Sequence, residues 1–175
     1  MKKKFILIFL SVLLASSACA QLAVAKVVGK NASKYKIGFG IFGYYEIPLN
    51  EVGNNSIRLE LLDLAYFPSN DADDHHSKGY LSFKLGYKNI FSETKTGFYA
   101  EPQLGYCRVI GGDGKQAGGI ALAGEAGYSL EVGQQSNTLN FGLKYETDMA
   151  GSEQTISSVG FRFSFSLDLF RRREY

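Results

Sequence analysis

The stretch "SSVGFRFSFSLDLF", Ser157 to Phe170, decides the fold because its side chains alternate between apolar and polar almost without interruption. The apolar positions are Val159, Phe161, Phe163, Phe165, Leu167 and Leu169. A period of two residues predicts a β-strand with one apolar face and one polar face. The next question is which surroundings the apolar face meets. In a soluble barrel it would face the core, and in a membrane barrel it would face lipid.

Seven other segments show strand character, and a polar break follows each of them. We predict strands at 22–30, 34–48, 56–67, 79–91, 96–110, 118–131, 138–149 and 155–170. The first alternates weakly and has Lys26 among its apolar residues. In the third, the phase changes at Leu62, which predicts a β-bulge. No stretch after Gln21 is apolar for eighteen consecutive residues, so we expect no transmembrane helix.

The composition of the polar faces distinguishes between the two kinds of barrel. These faces carry charged side chains interleaved with glycine and serine, and in a narrow eight-stranded barrel small residues beside long ones let the interior fill. A lipid-facing band avoids charge, because Arg or Lys at the bilayer midplane costs about 2–4 kcal/mol. The pattern therefore predicts an all-β fold, an eight-stranded antiparallel up-and-down transmembrane β-barrel. Its lumen is expected to hold Arg58, Glu60, Lys84, Lys88, Glu101, Glu125, Lys144, Glu146, Arg162 and Asp168.

Charges in so narrow an interior must pair with one another, because an unpaired buried charge is very costly. We therefore expect an ion-pair network that plugs the lumen, and an ion path is the functional alternative. Tyrosines toward the strand ends are expected to lie at the membrane interfaces. These tyrosines are Tyr44, Tyr45, Tyr66, Tyr80, Tyr87, Tyr106, Tyr128 and Tyr145.

The N-terminus has the three parts of a secretory signal. Lys2 to Lys4 form a basic region, Phe5 to Leu14 an apolar region, and Ala18-Cys19-Ala20 a small-residue cleavage site. We predict a signal peptide at 1–20 and a barrel domain at 21–175. Cleavage before Cys19, followed by lipid attachment, is the alternative. Without its three signal lysines the chain keeps 16 of 19 basic residues against 17 acidic ones, a net charge of about −1 that indicates no nucleic-acid partner.

Loop lengths give an independent indication of orientation. If the last strand ends in the periplasm, the breaks "PSNDADDHHSK" and "IGGDGKQAG" face outward, and "SETK" and "NEVGNN" face inward. Long outer loops and short inner turns are typical of outer-membrane barrels. Eight strands also return the N-terminus to the periplasm, where the signal leaves it. An even number of strands therefore supports the prediction of the first strand at 22–30, whose alternation is weak.

The chain resembles the small eight-stranded outer-membrane β-barrels of Gram-negative bacteria, OmpA-like transmembrane barrels without a periplasmic domain. The last strand carries the resemblance, since Ser158, Gly160, Phe163 and Phe165 match the family's assembly signal. Family members usually end on an aromatic residue, whereas here Arg171 to Glu174 precede Tyr175. The resemblance implies an outer-membrane location, lipid and lipopolysaccharide as surroundings, the barrel assembly machinery as a partner during biogenesis, and a monomer.

Four motifs could carry chemistry, and each also has a structural interpretation. Asp71, Asp73, Asp74, His75 and His76 could bind a metal, but they lack EF-hand spacing and also fit a solvated acidic loop. His75 and Ser77 resemble the His-x-Ser pair of lipid A deacylase barrels, in which histidine activates serine. "GGDGK" at 111–115 lacks the spacing of a phosphate-binding loop. Cys107 is expected to be a small buried thiol in the lumen.

We therefore expect a non-enzymatic outer-membrane barrel with a structural or surface-interaction role. It is predicted to have no catalytic residues, no metal site and no cofactor. Two alternatives stay open. The first is a lipid A-modifying hydrolase that uses His75 and Ser77. The second is a secreted, soluble, lipocalin-like barrel, which would turn its phenylalanines inward around an apolar ligand.

Overall fold

A computed structural model of the chain describes residues 21–70, 77–110, 117–133, 137–151 and 155–166. The predicted signal peptide at 1–20 lies outside these residues, as do Asp168 and the four residues that follow Phe170 before Tyr175. Within the described ranges, no helix has the length and apolarity that crossing a bilayer requires.

Eight antiparallel strands close into a barrel, each paired with its neighbours along the chain and the last paired with the first. The strands are β1 Leu22–Val28, β2 Gly38–Pro48, β3 Asn55–Phe67, β4 Lys78–Ile90, β5 Gly97–Ile110, β6 Gly118–Val132, β7 Asn137–Met149 and β8 Thr155–Ser166. This confirms the predicted fold class, including the weakly patterned first strand. Closure leaves no edge strand with unpaired backbone groups.

We call the two ends of the barrel the proximal end and the distal end. The proximal end holds residues 21 and 166 and the turns after β2, β4 and β6. The distal end holds the connections after β1, β3, β5 and β7. One distal connection begins with a 3₁₀ helix, Gly29–Lys34, where the first predicted strand was expected to continue to residue 30. The second strand begins at Gly38, four residues later than predicted.

The predicted bulge is present in β3. Gly43 on β2 pairs with Leu62 and the adjacent Tyr44 pairs with Glu60, so Leu61 is an extra residue in the ladder. On the other side of β3, Lys84 pairs with Glu60 and Ser82 with Asp63. Because of the extra residue, Glu60 and Asp63 both point into the lumen.

An apolar cluster fills the distal part of the lumen. Val27, Tyr35, Phe67, Tyr80 and Ile156 belong to it, together with Cys107 and small side chains. The rings of Phe67 and Tyr80 meet edge to face, with their centroids 6.3 Å apart. The interfacial prediction was therefore wrong for Tyr80, which is fully buried. It was also wrong for Tyr44, whose hydroxyl lies 3.1 Å from Ser164 Oγ across the lumen.

Candidate functional site: the charged lumen and the outer wall

Nine of the ten charged residues predicted in the lumen lie in the described ranges, and all nine form ion pairs there. They are Arg58, Glu60, Lys84, Lys88, Glu101, Glu125, Lys144, Glu146 and Arg162. Alternation along six strands brings them together, because each strand turns every second side chain inward. The tenth, Asp168, lies outside the described residues.

Two lysines and three carboxylates form what we call the central cluster: Glu60, Asp63, Lys84, Lys144 and Glu146. Lys84 Nζ lies 2.7 Å from Asp63 Oδ2, 3.0 Å from Glu60 Oε1 and 2.5 Å from Glu146 Oε1. Lys144 Nζ contacts the same three side chains at 2.5–3.4 Å. Each ammonium group therefore has at least as many oxygen neighbours as it has protons to donate.

Arg162 joins this cluster to the proximal half of the lumen. Its Nη2 lies 2.7 Å from Glu60 Oε2, and its Nη1 lies 3.1 Å from Glu125 Oε2. The guanidinium also stacks on the Phe42 ring at 3.3 Å from the ring centroid. The Tyr99 hydroxyl donates a 2.5 Å hydrogen bond to the other oxygen of Glu125. The two ion pairs and the stacking on Phe42 hold the guanidinium plane in one orientation across the barrel.

A second group, the proximal cluster, consists of Glu46, Arg58, Lys88 and Glu101. Arg58 pairs with Glu101 at 2.6 Å and with Glu46 at 3.3 Å, and it lies 4.0 Å above the Tyr44 ring. Lys88 donates a 2.7 Å hydrogen bond to Asn140 Oδ1. Glu46 is the most exposed member.

Glycines make room for these long side chains, as the sequence predicted. A Cβ at Gly86 would lie 2.7 Å from Glu101 Oε1, and a Cβ at Gly142 would collide with the Glu125 carboxylate and the Tyr99 hydroxyl. Both glycines are buried on the lumen side. An alanine at either position would displace an ion pair.

Three lumen carboxylates were missing from the predicted set: Glu46, Asp63 and Asp148. Every second residue of β2 from Gly38 onward points inward, and Glu46 is one of these positions. The alternation of β2 therefore could have predicted Glu46 in the lumen. Asp63 follows the bulge, and its side becomes clear only when the extra residue is counted. Asp148 continues the inward series of Lys144 and Glu146 on β7.

Asp148 differs from the other lumen carboxylates. It is 94% buried, given its relative exposure of 6%, and it makes no ion pair with a described residue. Its Oδ1 is buried without a hydrogen-bond partner. It lines a cavity of about 40 Å³ together with Asp63, Lys144 and small residues such as Ala25 and Gly160. A cavity of this size has room for a few water molecules.

The residues singled out for chemistry are only partly described. The acidic segment Asp71 to His76 lies outside the described residues, and so does all of "GGDGK" at 111–115. The hydroxyl of Ser77 accepts a 3.1 Å hydrogen bond from the Ser69 amide. Cys107 is fully buried, and its thiol lies 3.5 Å from the Ile120 carbonyl oxygen. Across the described residues, no group of three or more His, Cys, Asp or Glu side chains could hold a metal ion.

The outer wall is apolar where the lumen is charged. Phe161 is 72% exposed and Phe98 71% exposed, and large exposed side chains recur on every strand from β1 to β8. The soluble, lipocalin-like alternative requires these phenylalanine faces to point inward, so the structure does not support it. Basic residues do occur on the outer wall toward the distal end, at Lys26 and Arg108.

Comparison with known proteins identifies the fold through structure alone. No family model and no curated protein matches the sequence. The barrel is similar to Neisserial surface protein A, with a TM-score of 0.60 and 17% identity over 85% of this chain and 94% of that one. It is also similar to Ail, the attachment invasion locus protein of Yersinia pestis, with a TM-score of 0.50, 13% identity and the same coverage.

The chain has the fold of the small eight-stranded outer-membrane barrels. This confirms the resemblance that the last strand indicated. The barrel fold and these neighbours point to the outer membrane, and neither neighbour is named as an enzyme. Similarity at 17% and 13% identity establishes the fold alone. The roles of individual residues are therefore argued from the geometry of this barrel.

Proposed function

We propose that this protein is an integral outer-membrane barrel with a structural or surface-interaction role, which anchors its distal connections at the cell surface. One observation supports this proposal above all others. Apolar side chains cover the outer wall, while twelve charged side chains are gathered inside, a distribution that suits lipid outside and a filled polar lumen. The charges are paired, and glycines make room for the long side chains that carry them. Both features favour a lumen that is plugged over one that conducts ions.

The charges at the two ends favour an orientation with the distal end outward. On the described part of the distal end, Lys26, Lys30, Lys34, Lys36 and Arg108 are exposed. The described proximal turns and strand ends carry Glu51, Glu93 and Glu131 beside Lys95. A basic distal rim suits a leaflet whose headgroups bear phosphate. Outer-membrane lipid and lipopolysaccharide are accordingly the proposed surroundings.

The last strand supports assembly by the barrel assembly machinery. Phe163 and Phe165 lie on the outer side of β8, and Phe163 packs against Phe141 of β7 with ring centroids 5.3 Å apart. A closed barrel has no open edge that a second copy must complete, so a monomer is the proposed state.

Cell fractionation tests the proposal directly. The full chain would be expressed with its N-terminal segment, and the outer-membrane fraction would be run on SDS gels with and without boiling. We expect recovery in that fraction and a mobility shift on boiling, because a closed barrel resists SDS until it is heated. A soluble periplasmic product without heat-modifiable mobility would refute the membrane assignment.

A further inference from the structure

The charges inside the barrel do not balance. Within the described residues, the lumen holds seven carboxylates and five basic side chains. The carboxylates are Glu46, Glu60, Asp63, Glu101, Glu125, Glu146 and Asp148, and the basic side chains are Arg58, Lys84, Lys88, Lys144 and Arg162. If every group were ionised, two negative charges would lack a counter-charge. A buried charge without compensation is costly, and a carboxyl group in that situation takes up a proton.

The ion pairs locate the excess negative charge. The proximal cluster has two carboxylates and two basic side chains, so it is balanced. In the rest of the described lumen, five carboxylates meet three basic side chains, Lys84, Lys144 and Arg162. Four of these carboxylates form at least one ion pair with them, whereas Asp148 forms none with a described residue. Asp148 is therefore the carboxylate that the pairing leaves over.

The surroundings of Asp148 do not favour an ionised carboxylate. Its Oδ1 is buried without a hydrogen-bond partner and lines the cavity of about 40 Å³, which we call the distal cavity. The charged groups that face it are Asp63 on β3, Lys84 on β4, Lys144 and Glu146 on β7, and Arg162 on β8. The three basic groups already pair with other carboxylates, and Asp63 and Glu146 add negative charge.

The remaining neighbours of Asp148 carry no charge. Tyr80 on β4 and Cys107 on β5 are the other titratable groups that face it. Its partner on β6 is Ala121, and β1 and β2 contribute only alanine, glycine and a phenylalanine to the cavity lining. None of these side chains supplies the positive charge that an ionised Asp148 needs.

We propose that the distal cavity is a proton-binding site, in which Asp148 is a neutral carboxylic acid in the folded barrel. The proton removes one of the two excess negative charges and leaves every ion pair in place. The neutral acid has one O–H donor and a free acceptor, which water in the cavity satisfies. This inference goes beyond the proposed function, because it concerns what the lumen binds and not what the barrel anchors.

A proton on Asp148 makes the stability of the barrel depend on pH. In the unfolded chain the side chain meets water and ionises as an ordinary aspartate does, with a pKa of about 3.9. Above that pH the folded barrel holds one proton more than the unfolded chain, until the folded barrel releases it. Each pH unit within this window therefore raises the equilibrium constant for unfolding about tenfold through this one group.

Infrared spectroscopy of the purified full-length barrel in lipid vesicles tests the protonation state. A protonated carboxyl group has a C=O stretch that is separate from the bands of a carboxylate, and ¹³C-labelled aspartate shifts that stretch. At neutral pH we expect a protonated aspartate band in the unmodified chain and its loss in Asp148→Asn. Glu131→Gln, at an exposed glutamate, is the control and should keep the band.

Urea unfolding of the same samples tests the linkage to folding. Between about pH 5 and about pH 6, the ratio of the unfolding constants of the unmodified barrel and Asp148→Asn should rise about tenfold. Glu131→Gln should follow the unmodified barrel. Heat-modifiable mobility confirms that each variant is folded, and Asp148→Ala replaces Asp148→Asn in both measurements if the latter does not fold.

Three results would overturn the inference. The first is an unmodified barrel without a protonated aspartate band, or one whose band persists in Asp148→Asn. The second is a ratio of unfolding constants that does not change with pH. The third is stabilisation by sodium over potassium at constant ionic strength that is lost in Asp148→Asn, because a metal cation would then neutralise Asp148 in place of the proton.

Discussion

The central cluster and the distal part of the lumen lie side by side on the same polar faces, yet they satisfy their charges differently. In the central cluster, Glu60 contacts Lys84, Lys144 and Arg162. A few residues away, Asp148 forms no ion pair with a described residue and faces a small cavity instead. Strand alternation turns both Glu60 and Asp148 into the lumen. The two carboxylates therefore differ only in the side chains that surround them.

The short first strand accounts for much of this difference. β1 pairs with β2 over only four residue pairs, Leu22 to Ala25, and its inward side chains are Ala23, Ala25 and Val27. Gly38, Gly40 and Gly160 line the same side of the lumen. Lys144 and Arg162 line the same cavity, but their ion pairs with described residues go to other carboxylates. The central cluster, in contrast, draws its lysines from β4 and β7, where the inward positions carry long side chains.

Glu60→Gln should produce the largest loss of stability. Among the described carboxylates, only Glu60 forms ion pairs with three cations, and the change leaves those cations without part of their compensation. Breaking a buried ion pair from one side costs about 3–5 kcal/mol. Urea unfolding of the barrel reconstituted in lipid vesicles, followed by heat-modifiable mobility, measures the effect.

The matched control is Glu131→Gln, at an exposed glutamate near the proximal end of β6. It should change the free energy of unfolding by less than about 0.5 kcal/mol. A small effect of Glu60→Gln, comparable with that of the control, would show that the central cluster is not the stabilising core of the lumen.

Gly142→Ala should have an intermediate effect. The added Cβ would meet the Glu125 carboxylate and the Tyr99 hydroxyl, and overpacking of this kind costs about 1–3 kcal/mol. Gly124→Ala, on the outward face where there is open space, is the control and should leave unfolding unchanged. If the two variants behaved alike, space in the lumen would not be limiting, and the filled-lumen interpretation would fail.

The sequence predicted the faces of the strands far better than it predicted individual partners. A period of two residues fixes which side chains share the lumen, and nine predicted charges are found there. Which carboxylate meets which cation depends on register across strands distant in sequence, such as Glu60 with Arg162. No local pattern contains that information.

The errors have equally specific causes. Tyr44 and Tyr80 were assigned to the membrane interface because they are aromatic and near strand ends, although alternation placed both inward. Asp63 was not assigned because the bulge shifts the phase just before it.

Asp148→Asn should produce the smallest effect, and its sign distinguishes the two regions of the lumen most clearly. The variant keeps the shape of the side chain, removes a buried carboxylate that forms no ion pair with a described residue, and leaves every ion pair of the central cluster in place. Because burying a carboxylate outside an ion pair is costly, the free energy of unfolding should stay the same or rise by up to about 1 kcal/mol. The same urea experiment measures it beside Glu60→Gln. A loss as large as that of Glu60→Gln would mean that Asp148 is compensated after all, and the two regions would then follow one rule.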